Sequence, residues 1–345
     1  MSGSAGPPDV EAVLGQYSSL TRDAMQRYLR GRAPGRYLYD LVRDYPSRAG
    51  KGIRPSLLLA TCQAYGGAAR EGLGPAVALE MMHNAFLIHD DIEDDSPTRR
   101  GEPTLHEVHG MGLAVNAGDA LACLALQPLR DDGLLGTRVA GRVLDEFLAM
   151  VRVTTEGQAI ELGWRRSNAV DLEPADYFWL TGKKTCWYTT VAPLRVGAIV
   201  GSRGTASLDA LSRFGLYLGV AFQIRDDLLN LVGSDEDQGE EPLTDLREGK
   251  RTLMLVHLLA RAAPADRDWL VDYLAAPESG RAATDVEHVL ELMESCGSLG
   301  FAVEYGNGIA AAAADAFDQA FAGLPASAHL TFIRGLVPYM LARSL

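Results

Sequence analysis

An all-α fold is predicted for this chain on three observations. Ala and Leu dominate the segments between Pro/Gly breaks, the β-branched alternation that marks strands is scarce, and apolar residues recur three to four positions apart. The clearest such segment runs from Gly74 to Asp91, where Leu79, Met82 and Phe86 share a helical face and Pro75 suits a first turn. Thr137 to Trp164 reads as another long helix, and Ala206 to Leu231 as a third. Loops are expected at 96–104, 233–242 and 275–283, where Gly, Pro and charged residues cluster. No repeat, low-complexity tract or Pro/Ser-rich linker interrupts the chain. Residues 1–345 are therefore read as a single large helical bundle, with about 1–12 as a flexible tail.

Composition bounds the function. With 345 residues, 47% of them hydrophobic, the chain can bury a sizeable core. Its 45 Asp+Glu against 32 Lys+Arg give a net charge of −13, which argues against a nucleic-acid partner because phosphate contacts need a basic face. Without an apolar run of roughly 18 residues, no membrane span is expected. The start, MSGSAGPPDVEAV, lacks the basic and apolar parts of a signal peptide. Cys62, Cys123, Cys186 and Cys296 lie far apart without CxxC spacing, which points to reduced thiols in a cytoplasm and away from a zinc site.

The acid excess is not evenly spread. Residues 90–102 carry six acids and residues 226–248 carry nine, together 15 of the 45. Asp90 and Asp94 are four apart, one helical turn on one face; Asp226 and Asn230 repeat the spacing, with Asp227 alongside. Clustered carboxylates repel, and at the C-terminal ends of apolar helices they also oppose the helix dipole. A bound cation removes both conflicts. Hard oxygen ligands of this kind suit Mg²⁺, which commonly bridges protein carboxylates to substrate phosphates. Bases accompany the acids: Arg99 and Arg100 follow the first cluster, Lys51 and Arg54 lie in AGKGIRPS, Lys183 and Lys184 in TGKKTCWY, and Lys250 and Arg251 in EGKRTL. Such groups fit a phosphate site built from metal and side chains together.

At these residues the chain resembles the trans-isoprenyl (polyprenyl) diphosphate synthases, from about Tyr37 to about Leu258. GKGIRP (50–55), HNAFLIHDDIEDDSPTRRG (83–101), EGQAIEL (156–162), KKTCWY (183–188) and FQIRDD (222–227) look like that family's motifs, in its order. The resemblance implies an isoprenoid-synthase-type bundle with a central substrate cavity, a homodimer, and Mg²⁺-dependent joining of isopentenyl diphosphate to allylic diphosphates. By the same resemblance Lys51, Arg54, His83 and Arg100 would hold isopentenyl diphosphate, and Asp90, Asp94, Asp226 and Asn230 would serve the metal. Arg99, Lys184 and Lys250 would neutralise the allylic diphosphate, and Thr185 and Gln223 would line the path of the carbocation. The chemistry agrees: breaking an allylic C–O bond puts negative charge on diphosphate and positive charge on carbon, which cations and oxygen dipoles respectively stabilise.

Two positions depart from the family pattern. Asn230 replaces the last aspartate of the second motif, as in geranylgeranyl diphosphate synthases of the animal and fungal kind, which the chain is most like. Glu240, in GEEPLTD, stands where a lysine is usual, and reverses a charge expected to face diphosphate. Product length is expected to be set along the first aspartate helix. Phe86 lies one turn before Asp90, Met82 two and Leu79 about three, while small Ala85 favours a deep pocket and Phe86 adds bulk on nearly the same face. The expected product is C20, geranylgeranyl diphosphate, with C15 or a longer chain as alternatives. HEVH (106–109) lacks the HExxH register of zinc proteases and reads as a helix start, and GMGLAV (110–115) follows no strand, which argues against a dinucleotide loop. Two rivals remain: a class I terpene cyclase, disfavoured by Lys51, Arg54 and Arg100, and a weakly active regulatory subunit, disfavoured by the near-complete aspartate motifs.

Overall fold

The computed structural model describes residues 9–48, 50–130, 133–232 and 242–341. Helix α1 (Val10–Leu29) starts where the Asp9 carboxylate accepts the amides of Glu11 and Ala12. Residues 10–12 are thus helical and not part of a tail, and residues 1–8 lie outside the described residues. After α2 (Asp40–Ser47) comes α3 (Ile53–Ala64), ten of whose twelve residues are buried, as befits a helix surrounded by others. Helix α4 (Ala69–Glu93) begins five residues before the expected start. The Glu71 carboxylate accepts the Ala68 amide at 2.9 Å, so the helix starts there and Pro75 falls inside it.

The expected 96–104 loop contains a two-stranded hairpin, β1 (Thr98–Arg99) and β2 (Glu102–Pro103). Arg100 (φ 56°) and Gly101 (φ 77°) make its two-residue turn, a conformation matched to the strand twist. Helices α5 (Leu105–His109) and α6 (Met111–Leu124) follow, then α7 (Thr137–Arg166), α8 (Pro174–Thr181), a ten-residue π-helix (Gly182–Val191), α9 (Ala192–Gly201) and α10 (Asp209–Val232). The C-terminal part holds α11 (Thr244–Glu248), α12 (Leu253–Arg261), α13 (Pro264–Ala275), α14 (Ala283–Ser295), α15 (Ser298–Ala320) and α16 (Ala328–Leu341). A single 3₁₀ turn, Glu278–Gly280, occupies the expected 275–283 loop. Residues 233–241, which include Glu240, lie outside the described residues.

Buried apolar residues form two clusters. One joins α1, α3, α4, α6, α7, α9, α16 and the C-terminal half of α15; the other lies among α8, α12, α13, α14 and the N-terminal half of α15. Helix α10 supplies residues to both, Phe214 and Leu218 to the first and Ile224 and Leu228 to the second, so its C-terminal end is held by the second cluster. Among the described residues one segment, Met111–Arg130, is long and apolar enough by composition to cross a membrane. Its helical part, α6, packs as a bundle helix against α4, while Met111 and Val115 are exposed.

Candidate active site

A cavity of roughly 320 Å³ opens among α4, the hairpin, the π-helix, α10 and the α11–α12 segment. Asp90 enters it from α4 and Asp226 from α10, so the two aspartate motifs share one space. Close packing makes this possible. A Cβ on Gly157 of α7 would sit 2.3 Å from the Lys184 backbone nitrogen, and one on Gly219 of α10 would sit 2.7 Å from the Cys186 sulfur. Glycines at both points let α7 and α10 close on the π-helix that presents Lys184 and Thr185 to the cavity.

Within each motif the two adjacent aspartates do different work. Asp90 accepts from the Gln158 amide at 3.1 Å and lies 3.3 Å from Lys184 Nζ and 3.9 Å from Arg99. Burial would raise its pKa, but Lys184, Lys250 and Arg99 outweigh that and hold the carboxyl well below the usual range. Asp91 is fully buried; it accepts the Tyr45 hydroxyl and the Arg99 guanidinium, the latter at 2.8 Å through Nε. Burial pushes its pKa up despite these partners. Asp227 is the counterpart on α10, accepting Tyr177 Oη at 2.9 Å and the Gln223 amide at 2.6 Å. Its pKa is pushed well above the ordinary value, first by burial and then by Asp245. Asp90 and Asp226 face the cavity, Asp91 is turned into the core as an anchor, and Asp227 borders the cavity while its hydrogen bonds anchor the end of α10.

Further along, buried Asp94 pairs with Arg165 and has Lys250 Nζ at 3.6 Å. Lys250 also meets Glu248 at 2.6 Å and Asp245 at 3.4 Å, and Lys184 pairs with Glu161. Burial opposes the charge on both lysines, but these carboxylates keep their pKa values above the ordinary one. Asn230 donates through its amide nitrogen to Thr244 at 2.7 Å and accepts the Asp245 amide at 3.1 Å. Its side chain thereby holds the start of α11 beside the cavity.

The remaining predicted bases lie nearer α3. Arg54 donates to Tyr188 Oη at 2.8 Å, stacks over that ring at 4.3 Å and reaches His83 Nε2 at 3.3 Å. Burial, with Arg54, Arg100 and Arg99 nearby, pushes the His83 pKa well down and keeps the ring neutral. Arg100 donates to the Arg48 carbonyl at 3.2 Å and lines a small second cavity with Arg22, Arg48, Glu80 and Asn84. Lys51 is exposed three residues ahead of Arg54. On α4 the main cavity is walled by His83, Leu87 and Asp90, while Phe86 packs edge-on against Tyr188 at 5.7 Å. Ala85 and Met82 are buried in the core. Leu79 borders a separate apolar cavity with Phe147, Met150 and Val196.

Sequence reasoning did not single out Tyr45, Tyr177, Tyr188, Arg48, Arg165, Glu161 or Glu248. Arg48 donates to the carbonyls of Arg99 and Pro103 at 3.0 and 2.7 Å and so carries the hairpin. Glu161 lay within the quoted EGQAIEL segment. Tyr45 and Tyr177 act across 46 and 50 residues of sequence and leave no local signal, whereas Tyr188 closes the KKTCWY segment.

An all-α bundle whose two aspartate motifs meet in a cation-lined cavity defines a transferase of prenyl diphosphates. Residues 36–293 match the polyprenyl synthetase family, and the chain belongs to that family of prenyltransferases. It is 33% identical, over 88% of this chain and 89% of the other, to a short-chain isoprenyl diphosphate synthase of Methanothermobacter thermautotrophicus. It is 32% identical to the octaprenyl diphosphate synthase of Escherichia coli, over 73% of this chain and 75% of that one. The structure of a geranylgeranyl pyrophosphate synthase from Corynebacterium glutamicum, complexed with isoprenyl diphosphate and magnesium, superposes with a TM-score of 0.82 at 26% identity, covering 98% of this chain and all of that one. The chain is thus a trans-prenyl diphosphate synthase, and its relatives span several product lengths.

Proposed function

We propose that the protein condenses isopentenyl diphosphate with allylic diphosphates to give all-trans geranylgeranyl diphosphate, with Mg²⁺ as cofactor. The observation that carries this reading is the joint lining of one cavity by Asp90, Asp226, Lys184, Arg99 and Lys250, with Arg54 and His83 at its α3 side. Asp90, Asp94 and Asp226 offer hard carboxylate oxygens, and Asp90 stays ionised, which is the donor chemistry Mg²⁺ requires. When bound, the metal would neutralise the departing diphosphate as a Lewis acid. Asn230 would serve the metal indirectly, by fixing the segment that carries Asp245 and Lys250.

The chain's own residues supply the rest. Arg99, Lys184 and Lys250 bind the allylic diphosphate and stabilise its charge as the C–O bond breaks. The Gln223 amide nitrogen is committed to Asp227, so its oxygen is the end offered to the cavity, beside the Thr185 hydroxyl. Both present oxygen dipoles to the allylic cation. Lys51, Arg54, neutral His83 and Arg100 position isopentenyl diphosphate for attack by its terminal alkene carbon, and the proton then lost passes to the released diphosphate. The C20 reading rests on small Ala85, five residues before Asp90 on α4; the apolar pocket at Leu79, about 16 Å from Asp90 along α4 at 1.5 Å per residue, holds only about 10 Å³ and is separate from the main cavity.

A homodimer fits the outward stripe of Val108, Met111 and Val115 on α5 and α6, three to four residues apart and 59%, 58% and 38% exposed. Light scattering after gel filtration checks this, and a monomer at micromolar concentration overturns it. The four cysteines, all free, fit a reducing cytoplasm. For the reaction, pure protein is incubated with Mg²⁺, isopentenyl diphosphate and each of the C5, C10 and C15 allylic diphosphates, and the dephosphorylated products are separated. A C20 alcohol supports the reading; a C15 product or one longer than C20 corrects its length, and a cyclised or absent product overturns it.

A further inference from the structure

We propose that Asp95, His106 and Glu107 form a second metal site, for a transition-metal dication such as Zn²⁺ or Co²⁺, at the base of the hairpin that carries Arg99 and Arg100. His106 Nε2 lies 3.8 Å from Asp95 Oδ1 and 3.7 Å from Glu107 Oε1. These separations are too long for hydrogen bonds. One ligand atom from each residue falls within 4.8 Å of the others. Zinc bonds of about 2.0–2.2 Å in a tetrahedron set ligand atoms about 3.4 Å apart, so a small closure of the exposed carboxylates completes the geometry.

The independent observation is the histidine itself. His106 is nine-tenths buried, yet neither ring nitrogen has a hydrogen-bond partner among the described residues. A buried imidazole without partners is costly, and an ion at Nε2 satisfies the nitrogen that faces the two carboxylates. The donor set selects the ion. An imidazole with two carboxylates suits zinc or cobalt, whereas magnesium prefers oxygen alone. Asp95 and Glu107 have side chains 88% and 52% exposed, so water fills the fourth position and the ion exchanges readily. Asp95 lies just before the hairpin and His106 just after it, which makes the ion a clip across its base.

The test is a Co²⁺ titration of the full chain in excess Mg²⁺, read by visible d–d absorption, followed by displacement with Zn²⁺. One equivalent should give a band that Zn²⁺ removes. The Asp95→Asn/Glu107→Gln double variant, both positions being exposed, should weaken Co²⁺ binding at least tenfold, and His106→Gln should lose the band. If His106→Gln does not fold, as judged by circular dichroism, the double variant carries the test. No band in the wild type, or an equal band in the double variant, overturns the site. Because no substrate is present, either result is independent of the proposed synthase reaction.

Discussion

A Cβ on Gly157 would lie 2.3 Å from the backbone nitrogen of Lys184 and 2.6 Å from its Cα. Neither atom belongs to a flexible side chain, so Gly157→Ala must push α7 and the π-helix apart. Overpacking of this kind costs about 1–3 kcal/mol, and the shift moves Lys184 and Thr185 from the cavity wall. Urea unfolding should show the loss of stability, and turnover should fall more than tenfold. A variant with wild-type stability and turnover would mean that the two elements separate without cost.

Tyr177→Phe removes the hydrogen bond from Tyr177 Oη to the buried Asp227 carboxyl and leaves that from Gln223. Leaving a buried acceptor short of a donor costs about 1–3 kcal/mol. The unfolding midpoint should drop accordingly, and the apparent affinity for Mg²⁺ should weaken because Asp226 is the next residue. An unchanged midpoint would show that water replaces the hydroxyl.

Arg54→Ala should act on one substrate only. Losing charge-assisted bonds worth about 1.5–3 kcal/mol lowers kcat/KM for isopentenyl diphosphate roughly ten- to hundredfold. The KM for the allylic partner should change less than threefold, since Arg54 lies with His83 and Tyr188 and not with Lys184. Equal losses for both substrates would contradict the division of the cavity.

The Glu248 carboxyl is pushed up to about 7 from 4.5, mainly by burial and against the pull of Lys250. The folded chain therefore holds a proton that the unfolded chain releases near its ordinary value. This stabilisation is complete below about pH 4.5 and is lost as pH rises through about 7. Glu248→Gln keeps the neutral form throughout, so its stability relative to wild type should rise between about pH 5 and 8, by up to about 3 kcal/mol. Parallel stability curves for the two proteins would exclude Glu248 as the titrating group.

Leu79 borders the apolar cavity on the α4 side of the core, with Phe147 and Met150 opposite. Leu79→Ala should shift products beyond C20 and Leu79→Trp should shorten them. Phe86→Ala, beside Tyr188, tests whether the floor lies one turn from Asp90 instead, and should then lengthen the product. Chromatography of the dephosphorylated products distinguishes the two positions.

Much of this was legible because it is local. The one-turn spacing of Asp90 and Asp94, the matching Asp226 and Asn230, and the long apolar helices are all written within a few residues. The division of labour within each pair was not. Asp91 and Asp227 are set apart from Asp90 and Asp226 by Tyr45 and Tyr177, which tertiary packing brings in from distant helices, together with Arg99 and Gln223. Asn230 shows the same limit: its position matches a metal ligand, but its bonds to Thr244 and Asp245 appear only once α11 is placed. The 96–104 segment reads as a loop in the sequence because two strands of two residues leave no periodicity to detect.

Arg99 and Arg100 are neighbours at the tip of one hairpin, yet Arg99 lines the aspartate cavity and Arg100 the cavity beside Glu80. On the proposed assignment, a single small lever touches both reactants. Any free energy with which one diphosphate biases its position is returned in equal measure to the affinity for the other. The two substrates should then bind with reciprocal cooperativity, so that the affinity measured for either depends on whether the other is already in place.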